Sequence, residues 1–235
     1  MSGTLTEQVY DRIKKDLMMR KLQPGQKLNY KSLAKAYGLS ETPIKQALNR
    51  LVADGIVLIE PNKGMWIKRY SRYEIEDIVD TRLMFELYNV KRIYGTVNGN
   101  LRVQRSLQEN LERHAQIAEK YDADDIQCYM DAMEIDDEFH KLLMYCTGNK
   151  TMIDLYGKLK AFVFVYHTFG LQSKARIFRN VREHTDIFNG LLSDDVENAR
   201  QAIIAHNASS KWNTMQMFPN DYESSDCNAQ PAHSK

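Results

Sequence analysis

Asp136 and His140 stand four residues apart in EIDDEFHKLL, so a helix through them puts both side chains on one face, one turn apart, within reach of a single ion. His184 in VREHTDIF and His206 in AIIAHNAS each lie beside apolar positions that should turn toward a core. Three imidazoles and one carboxylate supply four ligands that suit a divalent ion, zinc first, with nickel or manganese as alternatives. One or two coordination positions would remain for water or a ligand oxygen. The same residues also have a plainer reading. Asp136 can be a solvated charge in the acidic run DAMEIDDE, and each histidine a hydrogen-bonded, partly buried group. Of the other histidines, His114 in LERHAQ sits among charged residues and His233 lies near the end, and both read as solvent residues. His167, on a strongly apolar stretch, reads as a satisfied core group, with a place lining the same cavity as the alternative.

These residues need helices to carry them. After Ser71, the positions Ile75, Ile78, Val79, Leu83, Met84, Leu87, Val90 and Ile93 describe an amphipathic helix of about six turns. Further helices are expected near 98–121, 124–146, 149–172, 174–192 and 195–217, separated by Asn98-Gly99-Asn100, Asp122 to Asp125, Thr147-Gly148-Asn149, Gln172-Ser173 and Ser193-Asp194-Asp195. No β-alternation follows residue 70, so the body should be an antiparallel bundle of about six helices. The polar segment 218–235 has no hydrophobic periodicity and reads as unstructured.

The first 70 residues have a different pattern. Thr4 can cap a helix bearing Val9, Ile13 and Leu17, with Glu7 as its capping-box partner, and Lys21 to Gly25 ends it. Leu33, Ala34 and Ala36 give a second short helix its inner face, and Gly38 permits the left-handed conformation that closes it. Ser40 can cap a third helix, in which Ile44, Ala47, Leu48, Leu51 and Val52 face inward while Thr42, Lys45, Gln46 and Asn49 face outward. Polar groups of those types can bond base edges or phosphates when a helix lies in a major groove. Ile56 to Ile59, a turn at Pro61-Asn62-Lys63-Gly64 and a return over Met65 to Lys68 make a two-stranded wing with Lys63 at its tip. The pattern is that of a winged helix-turn-helix, which points to a DNA reader; a winged helix used only for protein contact is the alternative.

The charge distribution agrees. Residues 1–70 carry 13 basic and 6 acidic side chains and the remainder 19 and 25, so a chain of net charge +1 divides into a basic head and an acidic body. Phosphate neutralisation favours that division. Three segments are therefore expected: a DNA-binding head over 1–70, a helical body over 71–217, and the tail. No apolar run approaches the roughly 20 residues that cross a bilayer. Together with the absence of a secretory signal, and with Cys128, Cys146 and Cys227 odd in number and lacking metal-ligand spacing, this places the chain in a reducing cytoplasm.

Over residues 5–217 the sequence resembles GntR-family transcriptional regulators of the FadR-type subfamily. GLSETPIKQALNRLVADGIV is similar to the family's DNA-reading signature. DTRLMFELYNVKRI resembles the opening helix of the ligand domain, with its Arg-x-x-x-Glu at Arg82 and Glu86. DDEFHKLLMYCTGNKTM resembles the Asp-x-x-x-His segment, and REHTDIFNGLLSDDVENARQAIIAH the Glu-His helix and closing histidine. The resemblance implies DNA contacts from Lys31, Ser40, Thr42, Lys45, Lys63 and Gly64. It also implies a metal held by Asp136, His140, His184 and His206, and an effector carboxylate met by Arg82; an ion pair of Arg82 with Glu86 is the competing role. The implied protein is no enzyme. It is a homodimeric repressor on a palindromic operator, released by a small organic acid. A metal-dependent enzyme using Glu183 or Asp137 as base, or a metal-free acyl-CoA sensor, are the alternatives. Glu41 departs from the signature, which has arginine there, and Lys45 replaces a second arginine, so an operator cannot be borrowed from relatives.

Overall fold

The computed structural model describes residues 3–167 and 172–216, side chains 160–167 excepted. The expected unstructured tail, with Cys227 and His233, and the side chain of His167 lie outside them.

The head begins with α1 (Leu5–Met18), closed at its start by the expected capping box: the Glu7 amide donates to the Thr4 hydroxyl oxygen and the Thr4 amide to the Glu7 carboxylate. Two short helices follow, α2 (Tyr30–Tyr37) and α3 (Glu41–Ala53), joined through Gly38 at φ +69°. Asn29 caps α2 by accepting from the Lys31 and Ser32 amides. Ser40 occupies the N-cap position of α3, but its side chain makes no capping bond and is exposed, contrary to expectation. Ala36 also faces solvent; Leu33 and Ala34 are the buried residues of α2, with Tyr30 and Tyr37 packed beside them.

The wing strands β2 (Val57–Glu60) and β3 (Gly64–Ile67) pair antiparallel with Leu58 opposite Trp66. A third strand, β1 (Lys27–Leu28), adds to the outer edge of β3, giving the order β1-β3-β2. Two residues are too short for alternation to signal a strand. Val9, Ile13 and Leu17 of α1 meet Ile44, Ala47, Leu48 and Leu51 of α3 and the inner face of the sheet in one apolar cluster.

Tyr70 joins head to body. It is fully buried, and its hydroxyl donates to the Gly55 carbonyl at 2.9 Å. One residue later Ser71 and Glu74 form a second capping box, which starts α4 (Arg72–Gly99). The body continues with α5 (Leu101–Lys120), α6 (Ile126–Tyr145), α7 (Lys150–His167), α8 (Lys174–Leu192) and α9 (Val196–Gln216), which are the expected six helices.

The body holds two apolar clusters. One is continuous with the head's core and takes in Ile75, Ala118, Ala132, Ile177 and Met215. The other contains Val90, Leu111, Leu143, Ile187 and Ile203. On α4, α5, α6, α8 and α9, a buried polar residue stands between the two: Glu86, His114, His140, His184 and His206. The bundle is thus two oil-like layers with a polar layer between, and burying polar groups at that depth is costly unless they are partnered.

Candidate functional site

His140, His184 and His206 converge in the polar layer, with one ligand nitrogen from each ring inside a span of 4.8 Å. Nε2 of His140 and Nε2 of His206 are 3.2 Å apart. The opposite nitrogens are held by carboxylates: His140 Nδ1 lies 2.9 Å from Glu86 Oε1, and His206 Nδ1 lies 2.9 Å from Glu183 Oε2. Burial opposes ionisation of Glu86, and the hydrogen bonds from His140 and Tyr156 with the nearby Arg82 guanidinium overcome it, so it is an ionised acceptor. Burial likewise opposes ionisation of Glu183, and the bonds from His206 and Ser209 overcome it. Each carboxylate therefore takes an Nδ1–H and leaves an Nε2 lone pair aimed at the centre.

With both rings neutral and protonated at Nδ1, the two Nε2 lone pairs 3.2 Å apart would repel unless a proton or a metal ion lay between them. Burial pushes the His184 and His206 imidazoles below their usual range, which disfavours a proton and keeps the rings in the neutral form that ligates metals. Asp136 Oδ1 lies 3.5 Å from His184 Nε2, with 22% of the carboxylate side chain accessible. The aspartate thus borders the cluster from the side that opens to a pocket. Arg82, Arg176, Asn180 and Asp136 are among the residues that line that pocket. The donor set, neutral imidazoles with an adjoining carboxylate, fits a divalent ion.

Arg82 donates from Nε to the Tyr156 hydroxyl at 3.3 Å, and that hydroxyl donates to Glu86 Oε1 at 2.7 Å. Arg176, on α8, spans Glu183 through Nη1, at 3.1 Å to each oxygen, and donates from Nη2 to Ser210.

In the head, Thr42, Lys45, Gln46 and Asn49 share the exposed face of α3, and Lys31, Ser40, Lys63 and Gly64 are exposed around it. Lys45 pairs with Glu41 at 3.1 Å and lies 4.3 Å from the centroid of the Tyr30 ring; Lys63 pairs with Glu60 at 3.1 Å. Gln46 accepts from the Thr6 hydroxyl at 2.7 Å, which ties one member of the outward face back to α1.

Residues 5–67 match the family described as bacterial regulatory proteins, gntR family, and residues 77–209 match the FCD domain. The chain belongs to the GntR family. It is a DNA-binding transcriptional regulator with an FCD domain, and not an enzyme. It is 24% identical over 204 residues to the HTH-type transcriptional repressor RspR of Escherichia coli, covering 86% of this chain and 85% of that one. The HTH-type transcriptional regulator McbR of the same organism is 31% identical over 123 residues, 52% of this chain and 55% of that one. Among solved structures, E. coli McbR/YncC superposes with a TM-score of 0.69 at 21% identity, covering 93% of this chain and 100% of that one. A regulator from Rhodococcus sp. RHA1 gives 0.69 at 15% identity, over 92% of this chain and 100% of its own. No described helix of this GntR-family regulator is long and apolar enough to cross a membrane.

The regulator's structure brings the predicted His140, His184 and His206 together, with Asp136 at the edge and Arg82 at the pocket. Glu86 is engaged by His140, Tyr156 and Asn207. Glu183, the base of the enzyme alternative, is engaged by His206, Ser209 and Arg176. His114 corrects the sequence reading: it is 0% exposed, with its ring centroid 5.3 Å from that of His184. Its charged neighbours in sequence project outward, while Leu107, Leu111 and Ala118, at helical spacing, mark the inner face it shares. That periodicity would have placed it correctly. The carboxylates that orient His140 and His206 gave a weaker signal, since each stands on a different helix from its histidine.

Proposed function

We propose that this regulator is a ligand-responsive repressor whose body, over 71–217, binds a divalent metal and a small organic acid, and whose head, over 1–70, reads a palindromic operator as part of a homodimer. The observation that carries the metal reading is the facing pair of Nε2 atoms of His140 and His206, each with its Nδ1 on a carboxylate. His140, His184, His206 and Asp136 would hold the ion, zinc in the first instance. When bound, it would supply a Lewis-acidic anchor for a carboxylate. Arg82, at the pocket beside Asp136, offers a guanidinium that can meet a second oxygen of the same acid.

In the head, Thr42 and Lys45 would approach base edges or phosphates from α3, Lys31 and Ser40 the backbone, and Lys63 with Gly64 an adjacent groove from the wing. Glu41 pairs with Lys45 in the absence of DNA; released, it can accept from a cytosine amino group. Repression is the mode carried by the name of the relative RspR, and two-fold symmetry is the usual way such heads meet a palindrome.

The acid can shift operator affinity only by its preference for one arrangement of the dimer, on the order of 1–3 kcal/mol. The test is elemental analysis of the purified full-length chain, followed by operator titration with and without short hydroxy- and dicarboxylic acids. About one metal per chain and an acid-dependent loss of DNA affinity are expected. A metal-free protein that responds to no acid would overturn the reading. Glu41→Arg should change the sites recovered from a randomised-site selection, and an unchanged set would remove Glu41 from base reading.

A further inference from the structure

His140 and His206 each have a carboxylate behind them; His184 does not. Neither ring nitrogen of His184 has a hydrogen-bond partner, although the ring is fully buried and stacked on Phe139 at 4.2 Å between centroids. On α5, packed against α8, two more buried polar side chains carry unsatisfied atoms: both ring nitrogens of His114, and Oδ1 of Asn110 one turn before it. Unpartnered buried polar atoms are few in native proteins, and three neighbouring residues holding them are not explained by packing.

We infer that Asn110 and His114 form a positioning relay behind His184, doing for the third imidazole what Glu86 and Glu183 do for the other two. The direction of the relay follows from one bond. Asn110 Nδ2 donates to the Ile135 carbonyl at 3.1 Å, so its Oδ1 is left as an acceptor. A rotation of the His114 ring, or one water, lets it give its single N–H to that oxygen and present its other nitrogen as a lone pair. That lone pair accepts Nδ1–H from His184, directly after a ring rotation or across one water, and His184 is left with an Nε2 lone pair for the ion. His114 is a positioning residue and not a ligand, because among the described residues the clustered ligand nitrogens belong to His140, His184 and His206.

The inference rests on the histidine cluster being a metal centre, and the test separates the two. Zinc affinity of the full-length protein is measured by competition with a chromophoric chelator, and the thermal midpoint of the metal-free protein is recorded beside it. His114→Leu is expected to weaken zinc by about 10–100-fold, with His114→Gln, whose amide both donates and accepts, restoring it to within about threefold of wild type. The metal-free midpoint is expected to fall in His114→Leu, which strips partners from Asn110 Oδ1 and His184 Nδ1, so zinc affinities are compared at a temperature where every variant is folded. Asn110→Leu, which removes the far end of the relay, should weaken zinc by a smaller factor and keeps the test decisive if His114→Leu does not fold.

Zinc bound equally well by wild type, His114→Leu and Asn110→Leu would overturn the relay while leaving the metal centre intact. Failure of His114→Gln to rescue would reduce His114 to a space-filling role and overturn it too. A Co²⁺ absorption spectrum that loses a nitrogen ligand in His114→Gln would make His114 a ligand and also overturn it. A wild-type protein that takes up no zinc would instead defeat the underlying reading, and the relay with it.

Discussion

The reading head displays its functional side chains on the surface, where water screens them, whereas the body buries its own between two apolar layers. On the head, Lys45 and Lys63 sit in ion pairs with Glu41 and Glu60 whose side chains are 43–72% exposed. Such pairs contribute about 0–1 kcal/mol, so a phosphate can replace the carboxylate at little cost. In the body, Glu86 and His140 are at most 1% exposed and bonded at 2.9 Å, and parting them would strand a charge in a medium that solvates it poorly. The head is built to exchange partners, and the histidine layer to keep a fixed set.

The sharpest way to break this contrast is a His140→Ala, His184→Ala double variant. It should lose essentially all bound metal by elemental analysis and all response to acid, while the isolated head–operator contacts persist as DNA affinity in the absence of effector. Retention of full metal content would refute the site. Glu86→Gln, which keeps shape but removes the charge behind His140, should weaken zinc by about 10–100-fold in chelator competition. Unchanged affinity would show that His140 needs no carboxylate to orient it.

Gly190 tests the body's packing rather than its chemistry. A Cβ there would come within 2.7 Å of the Ala199 backbone nitrogen, where α8 packs against the start of α9. Gly190→Ala should therefore destabilise by about 1–3 kcal/mol in thermal or denaturant unfolding, and a neutral result would mean the helices can part without loss. The smallest effect belongs to the head: Lys45→Ala should reduce the slope of log affinity against log salt by about 0.9, one phosphate's worth, if Lys45 meets the backbone. An unchanged slope would assign it to bases or to Glu41 alone.

The same contrast explains what could be read from the sequence. The head's elements are short and local: the Thr4–Glu7 box, the Gly38 turn and the inward stripe of Ile44, Leu48 and Leu51 are each complete within one or two helical turns. The Asp136–His140 spacing was legible for the same reason. Ser40 as an unbonded cap and β1 as a third strand were not, because each depends on exact local geometry or on a partner about forty residues away. His114 was misjudged by weighing its charged neighbours above its own helical phase. Glu86 and Glu183 were visible as motif residues, but their partners are 54 and 23 residues distant, and only the bundle brings them behind His140 and His206.

Tyr70 turns this geometry into mechanics. Its buried ring and its bond to Gly55 tie the base of α4 to the head. From Arg72 to Glu86, α4 is a rod of about 20 Å, at 1.5 Å per residue. A tilt of about 5° taken up at the histidine layer would swing the head end of such a rod by roughly 2 Å. In a dimer the two rods swing in opposite senses, so the gap between reading helices changes by up to twice that, against a half-site repeat of about 34 Å. With the proposed ion in place, a stiff lever of this kind would let a small rearrangement around it register as a misfit in DNA pitch.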